Sequence, residues 1–279
     1  MKSCIITSAS NKFFPSVLNL IGSIKANYPD HPPIFVYDLG LFSTFKRELT
    51  EMEGVTILAM PHFVPFWRSC YTWKTYIFNN PLAELNLYLD AGCQVLRGLG
   101  EMFEEIEGNG YIAVSQGSDL KMRTHTPEEY ISLFDIDERL LEKEIMTAGI
   151  FGFKKGNEIE KVIHKLYQAG VAGLCLGFSK EEQWKNKGPN KNDFIRKCPA
   201  FRHDTTLLSL FLLKHIEDLK VEDVSRFSAH KTGDSQLIWN MRLNYQNLDY
   251  LKPRLFLNKI FVFFFLFFKR INNRIKNTP

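Results

Sequence analysis

The 279-residue chain contains no CxxC pair among its five cysteines (Cys4, Cys70, Cys93, Cys175 and Cys198) and no short ligand spacing between them. That excludes a zinc knuckle or a small disulfide scaffold and points to a reducing compartment. It lacks a GxxxxGKS/T loop and a GxGxxG after its first strand-like segment, so P-loop and dinucleotide readings are disfavoured. No Ser or Cys sits in a GxSxG setting, which disfavours a nucleophile-elbow hydrolase even though His203-Asp204 reads as half of a dyad. There is no internal repeat, no low-complexity linker and no apolar run of the about 20 residues that a spanning helix requires. From Tyr250 to Pro279 there is no acidic residue at all.

What is present is ample apolar material. A composition of 45% hydrophobic, 14% aromatic and 24% charged residues suits one large domain or two closely packed subdomains and excludes collagen, coiled coil and wholesale disorder. The formal charge of +4 is unevenly placed: seven of the 35 cations lie in 250–279, leaving 28 against 31 acids, or -3, for residues 1–249. A mildly acidic body argues against a general nucleic-acid binder. The chain therefore divides into a body, 1–249, and a basic tail, 250–279. In the tail, Leu255 to Phe268 is apolar except for Asn258 and Lys259 and is flanked by cations. Phenylalanines beside a cationic fringe suit an interfacial segment on an anionic membrane, the plainer alternative being a last helix docked in the core. At the other end, Met1 to Ala9 reads as a first buried strand and not as a signal peptide.

Strands alternate with helices along the body. Strands are expected at Cys4–Ser8, Pro33–Asp38, Val55–Ala59, Leu85–Leu89, Tyr111–Ser115 and Ile150–Phe153. Helices are expected at Phe13–Asn27 (Val17, Leu20, Ile21 and Ile24 in helical spacing), Phe42–Met52, Tyr71–Phe78, Ile159–Gln168 and Thr205–His215. This is an α/β pattern, a mostly parallel sheet flanked by helices. Ligands of such sheets bind beyond the carboxyl ends of the strands.

Polar residues cluster at those ends. Thr7, Ser8 and Ser10 follow the first strand, Asp38 ends the second, and Asp90 ends the central one within Leu-Tyr-Leu-Asp-Ala-Gly. A carboxylate just past a buried strand can hold a divalent cation or a ribose hydroxyl, and otherwise caps a turn. Lys74 precedes the central strand; Thr147-Ala148-Gly149 precedes another; Arg202-His203-Asp204 opens a helix; Ser228-Ala229-His230-Lys231-Thr232-Gly233 follows. Pro65 to Trp73 is rich in aromatics, suited to core packing or to a platform for a sugar or base, and Gln183 to Asp193 reads as a solvated loop near the acceptor side.

In order and rough spacing, these blocks from Cys4 to Trp239 resemble glycosyltransferase family 8, a GT-A family of nucleotide-sugar transferases. The resemblance implies nucleotide contacts at Thr7, Ser8 and Asp38, and a diphosphate-facing cation at Lys74. It also implies metal ligation by Asp90 and His230, donor-sugar contacts at Thr147, Ala148 and Gly149, hydroxyl recognition and catalysis by Asp204, and phosphate approach at Lys231 and Gly233. Mn²⁺ or Mg²⁺ would be the ion; an Asp-His pair suits manganese. The departures are specific. Gly92 stands where the family has a second metal carboxylate, Thr147 replaces Asn, Thr205 replaces Gln, and the Lys-Pro-Trp after the last glycine is absent. If the metal ligands are thinned, cations such as Lys74 and Lys231 would substitute for the ion. The expectation is a hexosyltransferase moving a hexose from a nucleotide-diphosphate sugar, UDP-sugar favoured, to a glycan or glycolipid hydroxyl with retained configuration. It would act from the cytoplasm on the inner face of a membrane. The alternative is a non-catalytic nucleotide-sugar or glycan-binding module of the same fold; a sugar-phosphate nucleotidyltransferase would need a Gly-rich basic loop that Ser8 to Lys12 does not provide.

Overall fold

Nearly every expected element forms, and with it the alternation that buries both faces of the sheet. The computed structural model describes residues 1–177, 198, 200–227, 233 and 235–240. In chain order, these contain β1 (Ser3–Ala9), α1 (Phe14–Asn27), β2 (Ile34–Asp38), α2 (Ser43–Thr50), β3 (Val55–Ala59), α3 (Trp73–Asn79), β4 (Leu85–Leu89) and β5 (Cys93–Val95). They continue with α4 (Gly100–Asn109), β6 (Tyr111–Ser115), three short helices α5 (Met122–His125), α6 (Glu128–Leu133) and α7 (Glu138–Leu141), and β7 (Met146–Lys154). Then follow α8 (Ile159–Val171), a helix we label α9 (Asp204–His215), and β8 (Ile238–Asn240).

Six strands form one sheet in the order β3-β2-β1-β4-β7-β6, and β5 with β8 forms a separate two-stranded ribbon. β3, β2, β1 and β4 run parallel, whereas β7 is antiparallel to both neighbours. The fold is thus α/β with a mostly parallel sheet. One expected strand needs correction. Ile150–Phe153 extends to Met146–Lys154, so Thr147-Ala148-Gly149 lies inside β7 and not ahead of it. Gly149 and Gly152 conceal this in the sequence, because glycine lowers strand propensity, yet their backbone groups pair with Asp90, Leu87 and Ile112.

Adjacent residues point to opposite layers. Ile5, Leu87 and Ile150 pack with Phe14, Leu20 and Ile24 of α1 on one side. Ile6, Tyr88 and Phe151 pack with Phe78 of α3, Ile163 and Leu166 of α8 and Leu207 of α9 on the other. This second layer carries the site, because α3 rides on α8 at a close contact. A Cβ added to Gly170 would lie 2.4 Å from Thr75 Oγ1, and Thr75 adjoins Lys74. Among the described residues, no helix is long and apolar enough to cross a membrane.

Gly170→Ala is the test of this contact. Helix propensity favours the substitution by about 1 kcal/mol, but Thr75 is buried and its hydroxyl is bonded to the Thr72 carbonyl, so overpacking at about 1–3 kcal/mol should win. A lower midpoint in urea denaturation is the expected result.

Candidate active site

The carboxyl ends of β1, β2, β4 and β6 and the amino end of the reversed β7 meet at one cavity of about 620 Å³, lined by Ser8, Ser10, Leu39, Asp90, Gln116 and Thr147 among others. α9 brings its first turn, Asp204 and Thr205, to the same cavity. Four of the residues singled out in the sequence, Lys74, Asp90, Ala148 and Asp204, are joined there by a single group. The Lys74 side chain, 4% exposed, places Nζ 3.0 Å from Asp90 Oδ1 and 2.9 Å from Asp204 Oδ2 and donates to the Ala148 carbonyl at 3.1 Å. The ammonium thus hydrogen-bonds to Asp90 and to the Ala148 carbonyl and is ion-paired with Asp204, whose buried Oδ2 has no hydrogen-bond partner among the described residues. Burial would drive the Lys74 proton off, but Asp204 and then Asp90 outweigh it and hold its pKa well above the ordinary lysine value. Burial pushes Asp204 the other way, above the usual carboxylate range, with the Lys74 ammonium opposing it.

Asp90 is positioned from a second direction. Trp73 Nε1 donates to Ser8 Oγ at 3.3 Å, Ser8 lies 3.0 Å from the Tyr88 hydroxyl, and that hydroxyl donates to Asp90 Oδ1 at 2.9 Å. With the two ends fixed, Ser8 must donate to Tyr88, so the chain of hydrogen bonds runs one way. Burial and the Asp90 charge hold the Tyr88 pKa well above its ordinary value, which keeps this phenol a donor. Beneath the carboxylate, Gly149 leaves the room it needs: a Cβ there would stand 2.8 Å from Asp90 Oδ2. The clearance expected for a substrate is thus taken by Asp90 itself.

Other expected residues are placed differently. Thr7 faces the α1 side, the opposite face from Ser8; it is buried and its Oγ1 has no hydrogen-bond partner among the described residues. Asp38 is not in the cavity lining. Its Oδ1 accepts from the Gly40 and Leu41 amides at 2.7 Å each and its Oδ2 pairs with Lys46 at 2.5 Å. Burial alone would raise its pKa, but these bonds bring it below the ordinary value; it acts as the turn-capping aspartate. Lys74 lines the cavity, with its ammonium engaged by Asp90, Asp204 and the Ala148 carbonyl. Thr147 Oγ1 accepts from the Gly149 amide and Thr205 Oγ1 from the Ala148 amide, so both brace the backbone of β7. Gly233 has a φ of +131° and does not line the cavity. His230, Lys231, the 183–193 loop and the whole 250–279 tail lie outside the described residues.

Gln116, which the sequence left unassigned, also lines the cavity, as do Arg68 and Tyr71 of the aromatic stretch and Arg202 of the block before Asp204. The aromatic stretch splits. Trp67 is buried and stacks on His62 at 5.0 Å, whereas Tyr71 is 44% exposed at the cavity, its ring 5.2 Å from that of Trp73. A divalent cation finds a poor donor set among the described residues. Asp90 is already shared with an ammonium and a phenol, Gly92 has no side-chain donor, and no group of three His, Cys, Asp or Glu is placed to hold a metal. His230, the other ligand expected from the sequence, lies outside the described residues.

Removal of the ammonium should reveal its task. Lys74→Met leaves two facing carboxylates, one of them buried, and should cost about 3–5 kcal/mol at pH 8. In the wild type the contribution of Lys74, whose folded pKa is raised, is fully present below the ordinary lysine value near 10.5 and is lost only as pH rises through the folded value. In the variant, Asp204 with its raised pKa gains stability as pH falls, so urea melts should improve from pH 8 toward pH 5. Asp204→Asn in the same background should recover much of the loss at pH 8.

No protein-family model matches the sequence, and no curated protein matches it. Solved structures do match. The chain is similar to the apo structure of the bifunctional glycosyltransferase WbbM, with a TM-score of 0.45 and 16% identity over 61% of this chain and 35% of that one. It is similar to the galactosyltransferase LgtC in complex with donor and acceptor sugar analogues (TM-score 0.46, 12% identity, 80% of this chain and 74% of that one). It is also similar to the glycosyltransferase GlyE of Streptococcus pneumoniae TIGR4 (TM-score 0.44, 15% identity, 80% of this chain and 45% of that one). The chain therefore spans about a third of the WbbM structure and less than half of the GlyE structure.

Proposed function

We propose that the chain is a hexosyltransferase that moves a hexose from a nucleotide-diphosphate sugar to a hydroxyl of a glycan or glycolipid. The observation that carries this reading is the pair of carboxylates, Asp90 and Asp204, clamped on one buried ammonium at the floor of a cavity formed by strand ends. Such a floor presents hydrogen-bond acceptors at fixed positions to a polyhydroxylated ligand. Asp90, its side chain 38% exposed, would accept from donor-sugar hydroxyls directly. Asp204 would accept where its carboxylate reaches the cavity, and together they would orient the anomeric carbon. A UDP-sugar is the favoured donor, on the strength of the family resemblance in the sequence.

Of the two serines in the cavity lining, Ser8 and Ser10, neither is bonded to a described carboxylate or imidazole, and Lys74 holds both carboxylates in ion pairs. Transfer on one face of the sugar suits that arrangement. The bond from the anomeric carbon to the phosphate oxygen breaks, the acceptor oxygen bonds to the same face, and the acceptor proton passes to the departing phosphate. Configuration is then retained without a dedicated protein base. The tail would keep the enzyme peripheral on the inner face of a membrane, since its cations sit beside an aromatic segment suited to anionic head groups.

Two experiments test this. Asp90→Asn and Asp204→Asn should each lower kcat/KM for UDP-sugar consumption by on the order of 100-fold or more, the range seen when a positioned polar group is removed. NMR of the product should show the anomeric configuration of the donor. Binding without consumption by the wild-type chain would favour the non-catalytic module instead, and an inverted product would reject the one-face route. Separately, truncation after Tyr250 should weaken co-sedimentation with anionic liposomes; unchanged binding would remove the tail as the anchor.

A further inference from the structure

If a phosphorylated donor occupies this cavity, something must meet its negative charge, and Lys74 is committed elsewhere. The cluster carries one positive charge against two negative ones, and the ammonium has oxygens of Asp90, Asp204 and Ala148 within 3.1 Å. Two other cationic side chains in the cavity lining are Arg68 and Arg202. Arg202 bonds to the side chain of Gln116, past the end of β6, whereas Arg68 bonds to the Leu39 carbonyl, past the end of β2. In the strand order these ends are four spacings apart, about 19 Å at 4.8 Å each, so the two arginines reach the cavity from opposite sides.

Arg68 is the better prepared. It lies on the β1–β2 side with Ser8, Ser10 and Phe13. Its guanidinium is held from two directions, by the Leu39 carbonyl and by the Trp67 ring, whose centroid is 5.4 Å from Cζ. The turn makes room for it: Gly40 has a φ of +101°, and a Cβ there would lie 2.7 Å from Nη2. Nearby Lys46 is paired with Asp38, but no described carboxylate is paired with Arg68, and one hydrogen bond to Leu39 leaves most of its five N–H donors for a ligand. A planar cation fixed in place at the rim of a cavity is suited to two-pronged recognition of phosphate oxygens.

We propose that Arg68 anchors the phosphate groups of a nucleoside diphosphate in this cavity, the part that the family resemblance in the sequence implies for Lys74. The assignment rests on the nucleotide-sugar reading above. It gives the cavity a direction: sugar hydroxyls toward the carboxylate floor, phosphates toward the β2 rim.

Calorimetric titration of the full chain with UDP, CDP, GDP and ADP, and with the corresponding nucleosides, tests the proposal. The diphosphate that binds the wild type best should lose roughly 10- to 100-fold in affinity on Arg68→Ala and on Arg68→Gln, the loss expected for a hydrogen bond to a charged group. Its nucleoside should bind all variants alike. Gly40→Ala, which displaces the guanidinium without removing its charge, should weaken the diphosphate in the same selective way. Thermal melts check that each variant is folded. If folded Arg68→Ala and Arg68→Gln bind the diphosphate as the wild type does, or lose diphosphate and nucleoside equally, the anchor is refuted while the nucleotide-sugar reading stands. If the wild type binds none of the four diphosphates, both fall.

Discussion

Within 3.1 Å of the Lys74 ammonium, the chain places oxygens from positions 90, 148 and 204, and the architecture of the cavity follows from satisfying that buried charge. An unpaired ammonium at this depth would be far too costly to keep ionised. Three separate parts of the chain therefore have to arrive together: the turn after β4, the amino end of β7 and the first turn of α9. The helix that delivers Lys74 has only seven residues and little independent stability, so its place is set by packing on α8 and by the Phe78 contacts with Tyr88 and Phe151. Packing in the lower layer and the ion triad are thus one constraint seen at two scales.

From that constraint comes the cavity's polarity. Two carboxylates against one ammonium leave the floor acceptor-rich, and carboxylates repel phosphate. A ligand with hydroxyls at one end and anionic oxygens at the other is accordingly oriented by the protein before any specific contact is counted. The same arithmetic explains why the cationic residue nearest the central strand is a poor candidate for the anion: its charge is already neutralised by its own fold. An exposed cation at the rim, held by a carbonyl and an indole, retains its charge for a ligand.

Much of the fold was legible in the chain because the strands β1 to β4 are short β-branched or aromatic runs bounded by proline, glycine and aspartate, and α1 repeats Val17, Leu20, Ile21 and Ile24 on one face. Helix α4 was not read, since its buried residues Met102, Phe103 and Ile106 are few among acids. The reversal of β7 was invisible because a strand buried on both faces has the same pattern in either direction. At the site, Asp90, Asp204 and Lys74 could be picked out by their places at element ends. Their mutual pairing could not, as nothing in residue order records that positions 16 and 130 apart from Lys74 converge on one nitrogen. For Asp38, too, the residue type and position were compatible with ligand and with cap, and only the 2.7 Å amide contacts decide between them.

Backbone strain follows the same geography. Of the four non-glycine residues with positive φ among those described, Tyr71 and His203 line the cavity, Cys70 is the chain neighbour of Tyr71, and Asp135 is not in the lining. Such conformations cost about 1–3 kcal/mol each and persist only where surroundings impose them. The surroundings are visible: Tyr71 is bracketed by the Trp73 and His203 rings and lies over the Lys74 ammonium at 5.3 Å, while His203 Nδ1 is tied to the Cys175 carbonyl at 2.8 Å. A relaxed turn at 70–71 would carry the ring away from this cation and alter the wall between rim and floor. The cation–π contact therefore offsets part of the strain at Tyr71 and holds this 44%-exposed ring in the cavity wall.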